Sequence, residues 1–165
     1  MNQFTKSSVF SVCDATQGFF QIEYDDESMQ YTGFVTRKGV FKMRRLMQGS
    51  KTSPSIFHRV FGSTLPDDDE FTEHTACGHW IDDAALTSQT EETHFNLIAK
   101  FLRNCKEQNV WLNPLKSKWF GSDMVWCGRH VTKGAWKYEK NPADKFVEQR
   151  PENLKELSEL YHGLG

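Results

Sequence analysis

The first third of the chain alternates apolar and polar positions at the spacing of β-strands. Residues 8–13, with Val, Phe and Cys among serines, predict a buried strand that ends at Asp14. Alternation on both sides of a turn at residues 37–39 predicts a hairpin with one apolar face and basic side chains along its ladder. The strands predicted in this part are 8–13, 19–24, 31–36 and 40–45.

Two later segments have the periodicity of amphipathic helices. Ser53 can cap a helix that begins at Pro54, where the missing N–H of proline is not needed. Ser88 and Glu91 have the spacing of a capping box before a second helix of about 18 residues. The predicted core face of this helix consists of Phe95, Ile98, Phe101, Leu102 and Cys105.

The remaining segments complete an α+β pattern. Two short strands leave Asp82 and Asp83 at the turn between them, and a later extended run is broken at Pro114. The order β-β-β-α-β-β-α-β-β predicts an antiparallel sheet with helices packed on one face. The segments predicted here are 75–81, 84–88, 110–120, 124–132 and 135–138.

Length and composition predict one globular domain with an uneven charge distribution. The 165 residues have a formal net charge of −2, yet no acid occurs between Glu27 and Asp67. The basic segment suits phosphate contacts, although a solvated hairpin would have the same composition. Its cations are Arg37, Lys38, Lys42, Arg44, Arg45, Lys51 and Arg59.

Four widely spaced cysteines argue against a zinc site or a disulfide framework and favour a reducing compartment. No stretch of the sequence is apolar enough for a signal peptide or a membrane span. We therefore expect no membrane association and an intracellular, cytoplasmic location, with a virus-like particle or the nucleus as alternatives.

Three acids are placed where a carboxylate is costly unless something compensates it. Asp14 ends an apolar strand, and Asp82 and Asp83 interrupt an apolar stretch. An acidic pair at a hairpin tip is by itself a common turn. If neighbouring strands bring Asp14 beside Asp82, oxygen ligands without Cys or His indicate Mg²⁺ or Mn²⁺. Two such ions would suit phosphoryl transfer.

Five segments in order resemble the motifs of reverse transcriptases from LTR retrotransposons, the gypsy-type group in particular, and more distantly those of retroviruses. FSVCDATQGFFQI resembles the first catalytic motif, and HWIDDAALTS resembles the box with the acidic pair. RRLMQGSKTSPSIFHRV resembles the template- and nucleotide-contacting motif, LNPLKSKWF the motif after the acidic box, and VWCGRHVTKGA the hairpin that grips the primer end. The resemblance implies a palm with part of the fingers.

The resemblance also implies catalytic roles. Asp14, Asp82 and Asp83, with the carbonyl of Ala15, would bind two Mg²⁺ or Mn²⁺ ions. Lys116 matches a lysine that protonates the leaving pyrophosphate, although a solvated lysine would fit the position too. These residues would catalyse RNA-directed DNA synthesis on a primer 3′-hydroxyl.

Further implied contacts are with the nucleotide and the template-primer. The ring of Phe19 would lie under the sugar of the incoming dNTP and leave no space for a 2′-hydroxyl, although a core aromatic would look the same. The predicted nucleotide-binding residues are Phe19, Gln48, Gly49 and Lys51. The predicted template- and primer-binding residues are Arg37, Lys38, Lys42, Arg44, Arg45, Trp80, Trp126, Cys127 and Gly128.

The chain departs from the family pattern in two ways. Trp80 replaces a Tyr or Phe, and few residues precede the first motif. We expect residues 1–140 to form the palm with partial fingers, with a fingers hairpin at about 24–48, and residues 141–165 to form a linker and the start of the thumb. Other polyprotein segments or a partner chain would complete the enzyme. The alternative is a non-enzymatic nucleic-acid or protein binding module derived from a retroelement.

Overall fold

The computed structural model describes residues 3–66 and 75–139, which form nine strands and three α-helices. Predictions for residues 67–74 and for the segment 141–165 lie outside the described residues. The strands are β1 (Val9–Asp14), β2 (Gly33–Thr36), β3 (Gly39–Lys42), β4 (Thr75–Trp80), β5 (Asp83–Ser88), β6 (Lys118–Gly121), β7 (Asp123–Trp126), β8 (Arg129–Thr132) and β9 (Ala135–Tyr138). The helices are α1 (Asp26–Met29), α2 (Ser53–Gly62) and α3 (Glu91–Glu107).

The centre of the fold is a four-stranded antiparallel sheet in the order β4-β5-β1-β6. Strand β1 pairs with β5 from Val9 opposite Ser88 to Asp14 opposite Asp83. Because successive side chains of a strand alternate between the two faces, both faces of this sheet need cover. The predicted fold class, an α+β sheet with helices on one face, is confirmed.

Helices α2 and α3 cover one face of the sheet. Cys13, Ala84 and Leu86 from the strands pack there with side chains of both helices. Helix α3 is capped by Thr90, whose hydroxyl accepts a hydrogen bond from the N–H of Thr93. The buried members of this core are Cys13, Ala15, Leu46, Phe57, Phe61, Ala84, Leu86, Leu97, Phe101, Cys105 and Val110.

The antiparallel meander β7-β8-β9 covers the other face. Phe10 and Ala85, one position along from the residues of the helix face, pack there against Met124 and Val131. Phe4 joins this second core and meets the ring of Trp126 edge to face, with centroids 5.2 Å apart. The central strands are therefore held from both sides.

A buried histidine connects α3 to the central strands. Nε2 of His94 lies 2.7 Å from the hydroxyl of Ser11 on β1, and Nδ1 lies 3.1 Å from the hydroxyl of Ser88 on β5. Ser11 also accepts from the N–H of Phe120 on β6. Burial lowers the pKa of His94 to about 4, so the neutral ring is the form that fits this network.

The predicted core face of α3 is wrong at two positions. Phe95 and Leu102 are 64% and 44% exposed, whereas His94 and Leu97 are completely buried. The helix is rotated toward His94 because both ring nitrogens of that side chain find partners in the sheet. A polar residue with satisfied hydrogen bonds has replaced an aromatic one in the core.

Three local predictions also need correction. Residues 19–24, predicted as extended, overlap a 3₁₀ helix at Gly18–Gln21. The residue before α2 is Thr52, and Ser53 instead donates its hydroxyl to the carbonyl of Met47. The segment 124–132 is two strands, because Cys127 and Gly128 form a turn between β7 and β8. In the described residues, no helix has the length and apolar character of a membrane span.

Candidate active site

The fold places Asp14 and Asp83 side by side at one end of the central sheet. They are the last register pair of β1 and β5, and paired residues of neighbouring strands point to the same face. Beyond this pair, the N–H of Ala15 donates to the carbonyl of Asp82 at 2.8 Å. The ladder therefore continues to the second acid, and all three predicted carboxylates lie at this sheet end.

A two-residue turn presents Asp82. Trp80 pairs with Asp83, so the turn consists of Ile81 and Asp82, and Asp83 belongs to the strand and not to the turn as predicted. Ile81 has a φ of 53°, a left-handed conformation that is unfavourable for a β-branched residue. Such strain persists only where the surrounding structure holds it. Here the paired strands on both sides of the turn hold it.

Electrostatics at the sheet end show the cost of gathering three acids. The pKa of Asp83 is raised, first by burial and then by the neighbouring charges of Asp82 and Asp14. Lys116 acts in the opposite direction on Asp83, and its Nζ lies 3.5 Å from Oδ1 of Asp14. The exposed ammonium of Lys116 therefore pairs with Asp14 and offsets part of the repulsion on Asp83.

The three carboxylates suit a divalent cation in their chemistry. Oxygen donors are the ligands that Mg²⁺ and Mn²⁺ prefer, and a cation would relieve the repulsion that raises the pKa of Asp83. Within residues 3–66 and 75–139, however, no three side chains of His, Cys, Asp or Glu are already gathered closely enough to hold a metal ion. Metal binding would therefore have to draw the carboxylates together.

A cavity of about 380 Å³ opens beside the carboxylates. It brings together six of the predicted site residues, from both ends of the described chain. Asp83, Gly49 and Lys51 do not line it, although Asp83 interacts electrostatically with three of the lining residues. The predicted residues that line it are Asp14, Ala15, Phe19, Gln48, Asp82 and Lys116.

Phe19 lies in the wall of this cavity within the 3₁₀ helix. Its ring meets Phe57 of α2 edge to face at a centroid distance of 5.9 Å. Gly18 is required beside it, because a Cβ there would lie 2.5 Å from the ring of Phe57. The glycine lets Phe57 support the segment that carries Phe19.

Gln48 and Gly49 follow the β2–β3 hairpin. Gln48 reaches the cavity, and Gly49 has a φ of +85°, where glycine is strongly preferred. Lys51 is exposed and does not line the cavity. Its predicted contact with the nucleotide stays a prediction.

A second cavity of about 780 Å³ lies between the β4–β5 hairpin and the β7-β8-β9 meander. Trp80, Trp126 and Cys127, three of the predicted primer-binding residues, line it. The turn between β7 and β8 has φ values of 50° at Cys127 and 68° at Gly128, as a two-residue hairpin turn of the primed kind requires. Burial is the main cause of the raised pKa of Cys127, and the negative charge of Asp83 raises it further. The two hairpin turns are therefore close together.

The predicted template-binding cations belong to a hairpin that is exposed along its whole length. Every residue of β2 and β3 is exposed, with Arg37 and Lys38 in the turn and Lys42 at the end of β3. Arg45 differs, because its guanidinium donates to the carbonyl of Gln21 and lies 2.8 Å from the carboxylate of Glu23. Arg45 therefore fixes the base of the hairpin.

Two residues that the sequence did not single out help to build the site. Asn113 lines the cavity, and its N–H donates to the carbonyl of Asp14 at 2.7 Å. Gln21 forms side-chain hydrogen bonds across the same region. Neither position has a pattern in the sequence, because both act through backbone partners that are far apart along the chain.

Comparison with known proteins matches most of the chain to one family. The family described as reverse transcriptase (RNA-dependent DNA polymerase) matches residues 1–140. The chain is 28% identical over 158 residues to the enzymatic polyprotein of figwort mosaic virus (strain DxS), covering 96% of this chain and 23% of the polyprotein. It is 29% identical over 151 residues to the retrovirus-related Pol polyprotein from transposon opus of Drosophila melanogaster, covering 90% of this chain and 14% of the polyprotein.

A solved structure supports the fold. The foamy viral protease-reverse transcriptase in complex with an RNA/DNA hybrid superposes with a TM-score of 0.78 and 21% sequence identity. The superposition covers 98% of this chain and 22% of that chain. The chain thus spans about a quarter or less of the polyproteins and the solved structure that it matches here.

Proposed function

This chain belongs to the reverse transcriptase family, and we propose that it is the catalytic core of an RNA-directed DNA polymerase within a retroelement polyprotein, of the gypsy type among LTR retrotransposons. One observation carries the proposal. Asp14, whose register partner is Asp83, and Asp82 in the adjoining turn line a cavity whose wall also includes Phe19, Gln48 and Lys116.

The proposed reaction joins a primer to a deoxynucleotide. The primer 3′-oxygen forms a bond to the α-phosphorus of the dNTP, the bond to the bridging oxygen breaks, and pyrophosphate leaves. The hydroxyl proton passes to solvent, and Lys116 gives a proton to the departing pyrophosphate. Its position 3.5 Å from the Asp14 carboxylate keeps the ammonium at the cavity.

The acids have a separate role in this proposal. Asp14, Asp82 and Asp83, with the Ala15 carbonyl, would hold two Mg²⁺ or Mn²⁺ ions. When bound, these ions would supply positive charge to the attacking and leaving oxygens. The side chains would fix where that charge is placed, since Asp14 ends β1 and Asp83, its register partner, begins β5.

The cavity wall and the neighbouring hairpins would position the substrates. Phe19 would support the sugar, and Gln48, Gly49 and Lys51 would contact the rest of the nucleotide. The exposed cations of the β2–β3 hairpin would contact the phosphates of the template, which fixes position without reading sequence. Trp80, Trp126, Cys127 and Gly128 would hold the primer end.

Primer extension tests the proposal. The chain is incubated with an RNA template, an annealed DNA primer, dNTPs and Mg²⁺ or Mn²⁺. We expect extension, and we expect it to be lost in the Asp82→Asn, Asp83→Asn double variant. Glu107→Gln is the matched control, because it also neutralises an acid but at the exposed end of α3.

Two results would contradict the proposal. Equal extension by the chain and its double variant would exclude these acids from catalysis. Binding of the RNA template without extension by either protein would favour a non-enzymatic binding module.

A further inference from the structure

The side-chain amide of Gln21 uses both its nitrogen and its oxygen in hydrogen bonds to backbone groups beside the cavity. Nε2 donates to the carbonyls of Thr16 and Trp111, the latter at 2.9 Å. Oε1 accepts from the N–H of Trp111 at 2.8 Å. The amide therefore pairs with the peptide groups of Trp111 in the way that a neighbouring strand would, across 90 positions of the chain.

These contacts close one wall of the cavity. Six consecutive residues, 14–19, line it, and the 3₁₀ helix follows at Gly18–Gln21. The bond from Gln21 to the carbonyl of Thr16 joins the last residue of the 3₁₀ helix back to the middle of this run. The curvature of the wall, and with it the position of Phe19, therefore depends on this side chain.

The same side chain also binds the segment that pairs with residues 14–16. The carbonyl of Trp111 also accepts from the N–H of Thr16 at 2.9 Å, and the chain continues from there through Asn113 to Lys116. Asn113 and Lys116 line the cavity on that side. Gln21 thus joins the segment that contains Phe19 to the segment that contains Lys116.

Gln21 is itself held in place by its main chain. Its carbonyl accepts from Nη1 of Arg45 at 2.9 Å, and Arg45 is paired with Glu23. The residue is therefore fixed at three points: the base of the β2–β3 hairpin, Thr16 just after β1, and the segment at Trp111.

We propose that Gln21 is a positioning residue that sets the spacing between Phe19 and the Lys116 side of the cavity, and thereby the selection of deoxyribose over ribose. This inference rests on the proposed function, because it assumes that a nucleotide sugar lies on Phe19. A sugar that carries a 2′-hydroxyl is excluded only while the Phe19 ring is held close enough to the sugar to leave no space for that hydroxyl. Loss of the hydrogen bonds of the Gln21 amide lets the wall open, so that the ribose fits.

The test compares binding of dATP and ATP to the chain in the presence of Mn²⁺. The Gln21→Met variant keeps the length of the side chain and removes all its hydrogen bonds, whereas Gln21→Glu keeps the acceptor toward Trp111 and removes both donors. Gln108→Met is the matched control at the exposed end of α3. Thermal unfolding of each variant verifies that it is folded.

We expect the chain and the Gln108→Met control to prefer dATP, and Gln21→Met to lose about tenfold of that preference. Gln21→Glu should lose a comparable part, because the two donor bonds to carbonyls are what close the wall. In the double variant with Phe19→Ala, the Gln21→Met change should have little further effect, since both act on one group.

Each other outcome is decisive. If the chain prefers dATP and Gln21→Met, while folded, keeps that preference, the positioning role is overturned and the proposed function stands. If the chain binds neither nucleotide, or binds both equally, the inference and the proposed nucleotide site fall together. If Gln21→Met unfolds, the folded Gln21→Glu variant gives the same comparison, and a preference unchanged in it overturns the inference.

Discussion

Two β-hairpins of this molecule have the same design and opposite surroundings. The β4–β5 hairpin and the β2–β3 hairpin are both antiparallel pairs closed by two-residue turns. Residues 84–88 of β5 are buried, whereas every residue of β2 and β3 is exposed. The first hairpin places acids at its turn, and the second places cations there.

The difference shows how burial determines what a hairpin can do. Acids at the end of β1 and β5 are fixed by packing on both faces of the sheet, which tolerates the strained turn at Ile81. Arg37, Lys38 and Lys42 of the other hairpin are exposed side chains on its ladder, so they can follow a polyanion of varying shape. Catalysis requires the first kind of placement, and phosphate contacts require only the second.

The largest expected effect comes from removing Asp14, the acid of β1 that pairs with Asp83 of the buried hairpin. Asp14→Asn should reduce the rate of primer extension roughly a thousandfold, as the loss of several kcal/mol of transition-state stabilisation would. Single-turnover extension rates measure it. Asp26→Asn, on the exposed helix α1, is the control and should retain the rate of the unmodified chain. A rate within a few-fold of the unmodified chain for Asp14→Asn would remove that acid from the chemistry.

The second effect concerns the stability of the same sheet and its dependence on pH. His94 has a pKa of about 4 in the folded chain, below its ordinary value, because burial disfavours the charged ring. The unfolded chain therefore binds a proton more readily. The neutral ring of His94 stabilises the fold fully above the unfolded pKa of about 6.5, and this stabilisation is lost as the pH falls toward 4.

We expect the free energy of unfolding to fall by roughly 3 kcal/mol between about pH 6.5 and pH 4 on account of His94. Urea unfolding across this range measures the change. His94→Gln should flatten the dependence, while His130→Gln, at a partly exposed position on β8, should not. An equal slope in the chain and in His94→Gln would show that this histidine does not govern the acid response.

How far the sequence predicts these two regions differs for physical reasons. Asp14, Asp82 and Asp83 could be predicted because an acid inside an apolar strand pattern is visible locally. The hairpin of cations could be predicted from alternation and a gap in the acids. Gln21 could not, because a side-chain amide that pairs with a peptide 90 positions away leaves no period in the sequence.

The rotation of α3 was missed for a related reason. An amphipathic pattern assigns Phe95 to the core, and only the hydroxyls of Ser11 and Ser88 make His94 the better buried residue. Those partners come from two different strands. Helical periodicity reports burial against an average apolar surface, and this sheet has a polar patch at the point of contact.

The third effect tests the exposed hairpin. Arg37→Ala with Lys42→Ala should weaken binding of an RNA–DNA hybrid and reduce the slope of log affinity against log salt by about 2, one for each lost phosphate contact. Stability should change by no more than about 0.5 kcal/mol, since both side chains are exposed. Arg103→Ala with Lys106→Ala removes two cations from α3 and is the control. An equal change in slope for both pairs would mean that the hairpin has no special contact.

The smallest effect concerns Asp83, whose carboxylate would have opposite effects on folding and on metal binding. Burial, and then Asp82 and Asp14, raise the pKa of Asp83, so the folded chain holds this proton more tightly than the unfolded chain does. The stability that protonated Asp83 contributes is complete below its unfolded pKa of about 3.9, and it is lost as the pH rises through its folded pKa. Asp83→Asn should therefore raise the free energy of unfolding at neutral pH, by less than about 1 kcal/mol because solvent screens a group that is only partly buried.

Mg²⁺ should reverse this order. A divalent cation held by the three acids stabilises the folded chain according to its concentration and affinity, and the variant lacks one ligand. Thermal unfolding with and without Mg²⁺ therefore measures both signs in one experiment. If the unmodified chain without metal were more stable than Asp83→Asn at neutral pH, the acids would not repel one another. The reason for expecting a cation between them would then disappear.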